Sequence, residues 1–376
     1  VTNSIFRIQM FKYNYNAIKV KEVEGRYVTN KEIERFLKSL TPVFQVSTIG
    51  ESVQGRSIKA ITLGSGETRI LLWSQMHGNE STTTKAVLDL VNLLKGDSEL
   101  ASVILENCTL KIIPILNPDG AMAYTRVNAN SIDLNRDAQE RTQPESVVLR
   151  EVFNEFKPDF CFNLHDQRTI FNVGNTSKLA TVSFLAPAND PARSISSNRE
   201  VAMRLIVAMN KALQRLIPGQ VGRYDDSFNS NCVGDAFQMQ GVPTILFESG
   251  HFPEDYQREQ TRYYIFISLI EAIEVISNKK IEHFEMDSYF EIPENNKLFL
   301  DIIIDNIDQL NSKFSKGDSA GILYVETLVG GKIEFRPKLE KVGDLSELYG
   351  HKMYNCLDIN DLEEIQKSPS LLNVLK

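Results

Sequence analysis

The chain has 376 residues, 42% hydrophobic and 24% charged, and its 41 lysines and arginines against 49 aspartates and glutamates leave a net charge of −8. This composition suits folded globular domains and excludes a mostly disordered or collagen-like chain. The acidic balance offers no general attraction to nucleic acid or anionic lipid, and no apolar run reaches the roughly 18 residues of a membrane-spanning helix. The length allows two or three ordinary domains, or one large domain with an addition. Cys108, Cys161, Cys232 and Cys356 lie far apart with no C-x-x-C pair. Buried free thiols in a reducing compartment are therefore expected. Residues 1–20 lack a basic-then-apolar signal pattern, so the cytoplasm is the expected location.

Residues 1–25 read as polar and irregular. Asn30 to Leu40 predicts a helix, with Asn30 as N-cap and Ile33, Phe36, Leu37 and Leu40 on one face. Gly50 to Gly64 predicts short strands and turns. From there strands and helices alternate. Strands are expected at Arg69–Ser74, Thr109–Ile115, Asp159–Leu164, Thr181–Leu185 and Thr244–Phe247. Helices are expected at Thr82–Leu94, Glu145–Phe156, Asn198–Leu216 and Glu259–Ile276. Apolar strands interleaved with helices imply an α/β fold, a mixed and mostly parallel sheet covered by helices on both faces. The pattern changes near residue 280. Asp287 to Asn296 is acidic, contains Pro293 and reads as a linker. Lys297 to Phe314 reads as helix. Gly321–Thr327, Lys332–Phe335 and Gly350–Leu357 read as strands, with a Gly330-Gly331 turn between the first two. The expected division is a catalytic domain over 1–284 and a small C-terminal α+β or β accessory domain over 285–376.

Chemistry concentrates at strand ends. His77 and Glu80 lie three apart at the entry of a helix and can point the same way. His165 closes the strand Asp159–Leu164. Two histidines and one glutamate leave Zn²⁺ an open position for water, the mark of a catalytic rather than a structural site. Asn117-Pro118-Asp119-Gly120 follows the strand Thr109–Ile115, Arg126 comes soon after, and Asp133-Leu134-Asn135-Arg136 comes next. Arg136 offers a fork to a carboxylate, and Asn135 adds an amide donor. Glu248 ends an apolar strand, a costly place for a carboxylate unless it acts, for instance as a general base toward water.

In this order, Gly50-Glu51-Ser52 with Gly55-Arg56-Ser57-Ile58, His77-Gly78-Asn79-Glu80, Asn117-Pro118-Asp119-Gly120, Arg126, Asp133-Leu134-Asn135-Arg136, His165 and Phe247-Glu248 resemble the zinc carboxypeptidase family of carboxypeptidase A type. The resemblance covers roughly residues 30–276. It implies one Zn²⁺ per chain on His77, Glu80 and His165, with Glu248 as general base and acid. It also implies that Arg126 polarises the scissile carbonyl, that Asn135 and Arg136 anchor the terminal carboxylate, and that Asp133 holds the far nitrogen of His77. The implied substrate is a peptide, or an acyl amino acid, with a free carboxylate; neither nucleic acid nor membrane is an expected partner.

The sequence departs from the family pattern in three places. The position of the family's substrate-covering tyrosine falls near Ser227-Phe228, so Tyr224 is the candidate. Gly234 stands at the position that sets side-chain preference. The short interval from His77 to His165 leans toward the succinylglutamate desuccinylase and aspartoacylase branch. The lead expectation is therefore a zinc carboxypeptidase. The alternative is a zinc amidohydrolase acting on N-acyl amino acids or cell-wall γ-glutamyl peptides. A third reading, a metal-free partner-binding module, is opposed by Glu248. His251 reads as a loop histidine, His283 and His351 as solvated, Asp166 and Arg168 as pocket-tuning or a salt bridge, and Asp225-Asp226 as a solvated face.

Overall fold

The computed structural model describes residues 15–376. Most of the segment read as irregular, residues 1–14, lies outside the described residues. Helix α1 (Asn30–Leu40) starts from a capping box: Thr29 accepts from the Lys31 amide, and Glu32 accepts from the Thr29 amide. Its buried face is the predicted one, Ile33, Phe36, Leu37 and Leu40. The hairpin β1 (Gln45–Glu51) and β2 (Ser57–Leu63) follows, then β3 (Thr68–Ser74), α2 (Thr82–Leu94), α3 (Glu99–Asn107) and β4 (Cys108–Ile113). Next come α4 (Pro118–Ala123), α5 (Pro144–Phe156), β5 (Phe160–Asp166), β6 (Asn172–Val173), β7 (Val182–Leu185), α6 (Ser197–Leu213) and β8 (Val221–Arg223). Helix α7 (Val233–Met239), β9 (Thr244–Ser249) and α8 (Glu259–Ser277) complete the α/β part.

Eight strands form one mixed sheet in the order β1-β2-β4-β3-β5-β9-β7-β8. The central strands β4, β3, β5 and β9 run parallel, β1 and β2 pair antiparallel with their neighbours, and β7 is antiparallel to β9 and parallel to β8. The alternation along β3 shows the two-faced burial. Ile70 and Leu72 join the core under α2, α6 and α8, whereas Leu71 and Trp73 join the core under α5 and α7. The chain leaves β3 for β4 on one side and returns to β5 on the other. This reversal opens a crevice at the C-terminal ends of β3 and β5, where open α/β sheets bind ligands.

A buried ion pair ties the helical layer together. Arg262 on α8 donates to Asp89 on α2 at 2.7 and 2.6 Å and to the carbonyls of Val20 and Val23. Both side chains are fully buried. Removing one partner strands a charge in the core, so Arg262→Ala is expected to cost about 3–5 kcal/mol in denaturant unfolding. A loss below about 1 kcal/mol would contradict this role.

The C-terminal region differs from expectation at Lys297–Phe314. Instead of a helix, it holds β11 (Phe299–Asp305) and a short 3₁₀ turn at Ile307–Gln309, after the two-residue β10 (Asn295–Asn296). Apart from Asp301, the run Leu300 to Ile304 is apolar, and it is buried toward both faces. Ile302 and Ile304 enter one core with Ile365 and Leu371, and Leu300 and Ile303 enter another. Burial on both sides suits a β-branched central strand. Strands β12 (Ser319–Val329), β13 (Lys332–Gly343) and β14 (Tyr349–Asn355) complete a sheet ordered β13-β12-β11-β14. Helices α9 (Ile359–Gln366) and α10 (Pro369–Val374) close the chain. The segment read as a linker is in fact packed: Tyr289 and Ile292 are buried in the main core. Among the described residues, no helix is long and apolar enough to cross a membrane.

Candidate metal centre and active site

The turn after β3 is built around its backbone. Gln75 sits at φ 49° and is held by bonds from its side chain to the carbonyls of Val28 and Gly78. A Cβ at Gly78 would lie 1.9 Å from the Gly120 carbonyl carbon, so only glycine lets these two loops touch. Asn117 donates to the Met76 carbonyl and caps α4 through the Gly120 amide. Asp119 accepts from the Ser52 hydroxyl, the Gln54 amide and Arg56. The motifs around Ser52–Arg56 and Asn117–Gly120 are thus one buttress that fixes the turn carrying His77.

His77, Glu80 and His165 converge. Their ligand atoms lie within 4.8 Å of one another, and all three residues are buried. Glu80 Oε1 is 2.9 Å from His77 Nδ1, Glu80 Oε2 is 2.9 Å from His165 Nδ1, and the two Nδ1 atoms are 3.0 Å apart. His77 Nε2 faces Asp133 Oδ1 at 3.0 Å, so the proton on Nε2 leaves the Nδ1 lone pair aimed at the cluster. Two imidazole nitrogens and a carboxylate so close fit a shared cation, with three protein ligands and an open fourth position. Burial opposes the charge on Glu80, but the two histidines outweigh it and hold its carboxyl well below the usual range.

Glu248 pairs in register with His165 across β9 and β5. It is 8% exposed, and its Oε2 has no hydrogen-bond partner. Burial, reinforced by the Glu80 and Asp166 carboxylates, raises its pKa well above the ordinary value. Arg126 donates from Nε to Asp133 at 3.0 Å and from Nη1 to Glu80 at 3.3 Å, which holds its guanidinium beside the cluster.

Asp133 also caps the turn Leu134–Arg136 through the Asn135 amide. Asn135 Oδ1 accepts from the Val233 amide at the start of α7, so its NH₂ end is left for a ligand. Arg136 touches the Asn135 carbonyl and Cys232 Sγ, and no carboxylate pairs with it among the described residues. Tyr224 lines the same cavity, half-buried, with its ring 5.5 Å from Phe171. Burial and the Glu248 and Glu80 charges push its phenol far upward. The structure thus gathers eight of the nine predicted residues around one cavity of about 850 Å³, and the ninth, Asp133, stands behind His77.

Other readings need correction. His351 is not solvated: it is largely buried, lies 2.8 Å from the Thr169 carbonyl and stacks on Phe299, because β14 pairs with β11 against the α/β part. His251 is also buried, 4.3 Å from the His351 ring, and stays outside the cavity. Asp166 forms no salt bridge with Arg168; it caps α2 through Thr82 and Thr83 and accepts from Ser249. Asp226 pairs with Arg193 and Arg199. Cys108, Cys161 and Cys356 are buried free thiols, while Cys232 is partly exposed on the cavity wall.

Residues that motif reading did not single out also line the cavity. Lys297, Tyr324 and Glu326 come from the C-terminal region, some 130 residues or more beyond the second histidine, where no local pattern could link them to it. Asp235 at the start of α7 is raised to about 7 by burial. An unfolded aspartate titrates near 3.9, so this group's contribution to stability is present below about pH 4 and is lost as pH rises through about 7. Asp235→Asn is therefore expected to gain on wild type by about 1–2 kcal/mol in urea unfolding between about pH 4 and pH 8, after allowance for solvent in the cavity. A pH-independent difference would contradict this.

The zinc carboxypeptidase family model matches residues 30–236, more than half the chain. Carboxypeptidase SOL1 of Arabidopsis thaliana is 32% identical over 136 residues, which cover 33% of this chain and 28% of that protein. Carboxypeptidase 2 of Trichophyton rubrum is 27% identical over 125 residues, 33% of this chain and 22% of that protein. The matched stretch thus spans about a quarter of these relatives. Among solved structures, a metallo-carboxypeptidase from Burkholderia cenocepacia superposes with TM-score 0.55 at 19% identity, covering 67% of this chain and 70% of the other. Carboxypeptidase A from Helicoverpa armigera superposes with TM-score 0.53 at 18% identity, covering 68% and 74%. At these identities the superpositions show the shared fold. With the family motifs folded into one metal-binding crevice and more than half the chain matched, this chain belongs to the zinc carboxypeptidase family.

Proposed function

We propose that the protein is a zinc-dependent carboxypeptidase that hydrolyses the C-terminal amide bond of peptides with a free terminal carboxylate. The observation that carries this reading is the opening of the His77–Glu80–His165 cluster, Glu248 and the Asn135–Arg136 pair onto one cavity. His77, Glu80 and His165 would hold the zinc, which would supply Lewis acidity toward water and the scissile carbonyl. Glu248 takes the proton of the attacking water and returns it to the leaving amine. Arg126, fixed by Asp133 and Glu80, turns its remaining N–H groups toward the developing oxyanion. Asn135 and Arg136 hold the terminal carboxylate, and Tyr224 covers the bound residue. Asp133 keeps the proton of His77 on Nε2.

The cavity also reaches Arg168, Phe171, Lys297 and Tyr324. Its volume of about 850 Å³ supports a peptide over a small acyl amino acid. We propose that residues 285–376 serve as an accessory unit that walls this end. The test is Arg136→Ala. It should raise KM for free-acid peptides by about 10–100-fold, with a smaller change in kcat, as expected when a charged hydrogen bond to the ground state is lost. Unchanged kinetics would place the carboxylate anchor elsewhere.

A further inference from the structure

The far wall of the cavity is built by elements outside the family motifs. The loop after β5 supplies Arg168 and Phe171, and Lys297 follows β10. Strand β12 adds Tyr324 and Glu326, two residues apart and so on one face. The ladder between β6 and β10 pairs Asn172 with Asn296 and fixes the two cation-bearing segments side by side. The Phe299 amide donates to the Ile170 carbonyl and locks the same junction.

The acids on this wall are already engaged. Glu326 accepts from Arg26 at 3.1 Å and from the Tyr124 hydroxyl. Asp166 caps α2 and accepts from Ser249. Asp225, on the loop after β8, turns back onto the amide and hydroxyl of Ser227. Neither cation on this wall has an acidic partner. Among the described residues Arg168 has no hydrogen bond or ion pair, and Lys297 Nζ has no acidic partner and stands 5.7 Å from the Phe171 ring centroid. Two cations without an acidic partner on one wall give that wall a local attraction for a carboxylate.

A peptide whose terminal carboxylate sits at Asn135 and Arg136 is anchored against α7, through Val233 and Cys232. Its upstream residues must then cross the metal cluster and leave along the other wall. We propose that Arg168 and Lys297 form a subsite for acidic side chains, which makes the enzyme prefer peptides with glutamate or aspartate in the two positions preceding the released residue. The Phe171 ring packs the aliphatic part of that side chain, and the two cations take its carboxylate. This inference rests on the carboxypeptidase reading for the direction of the bound peptide.

The test compares acetylated tetrapeptides with one common released residue and glutamate, glutamine or lysine in the two upstream positions. Binding is measured by calorimetry on the zinc-loaded Glu248→Gln protein, and hydrolysis on the wild type. The glutamate peptide should bind and react about tenfold better than the glutamine peptide, with the lysine peptide weaker still, and the gap should shrink with salt. The double variant Arg168→Glu/Lys297→Glu should reverse the order of glutamate and lysine peptides, and Arg168→Lys should retain the wild-type order. Binding of the three peptides within twofold of one another, or an order unchanged in the double variant, would overturn the subsite. Glutamate preference in binding without hydrolysis of any peptide would support the subsite and overturn the carboxypeptidase reading.

Discussion

Glu248→Gln is expected to lower hydrolysis of free-acid peptides by about 10²–10⁴-fold while leaving bound zinc unchanged. The reason lies in its place on β9. Glu248 is the register partner of His165, is nearly buried, and has one oxygen without a hydrogen-bond partner. Burial and the neighbouring Glu80 and Asp166 carboxylates raise its proton affinity well above that of a free glutamate. A group with a raised pKa keeps its proton up to a higher pH, so activity should decline on the acid side as Glu248 protonates. A dication at the adjacent cluster compensates the charge of Glu80, which lets Glu248 act as a base near neutrality. Glutamine keeps the shape and loses the proton-accepting oxygen. Single-turnover rates and metal content on one sample check this. Turnover near the wild-type level would move the base to another residue.

Chelation of zinc, or His165→Ala, is expected to bring activity down to that of a protein-free control. One equivalent of zinc should restore the chelated wild type and not the variant. His165 contributes Nδ1 to the cluster from the end of β5, with Glu80 Oε2 at 2.9 Å, and besides His77 no other histidine belongs to that cluster among the described residues. Loss of one of three ligands leaves two, too few for a tight catalytic site. Asp133→Asn should act more mildly. It removes the acceptor facing His77 Nε2 and should weaken zinc binding by about 10–100-fold. Zinc should also stabilise the fold, by about 4 kcal/mol at a thousandfold excess over its dissociation constant. A melting temperature indifferent to zinc would argue that the cluster does not hold it.

The α/β part was legible because its signals are local. The apolar stripe of Asn30–Leu40, the short apolar runs at β3, β5 and β9, and the helix after His77 each carry a period that only one element satisfies. The metal cluster was legible because its ligands sit at strand ends, where side chains converge whatever the loops do. The C-terminal region was harder to read. An acidic residue within an apolar run suggested a helix over Lys297–Phe314, yet Asp301 is buried in a strand, where it accepts from the Tyr256 hydroxyl and the Tyr324 amide. Those partners are distant in sequence, so nothing local announced them. The same holds for His351 against Thr169 and for Glu326 against Arg26: each is a contact between parts of the chain that no spacing connects.

The most direct test of the central claim is zinc content measured together with product release, on one preparation, from a peptide with a free C-terminus and from its C-terminally amidated twin. The account predicts about one zinc per chain, release of the terminal residue from the free acid, and far slower release from the amide, which Arg136 cannot hold as an anion. Stoichiometric zinc with no release from any free-acid peptide, or equal cleavage of acid and amide, would contradict it.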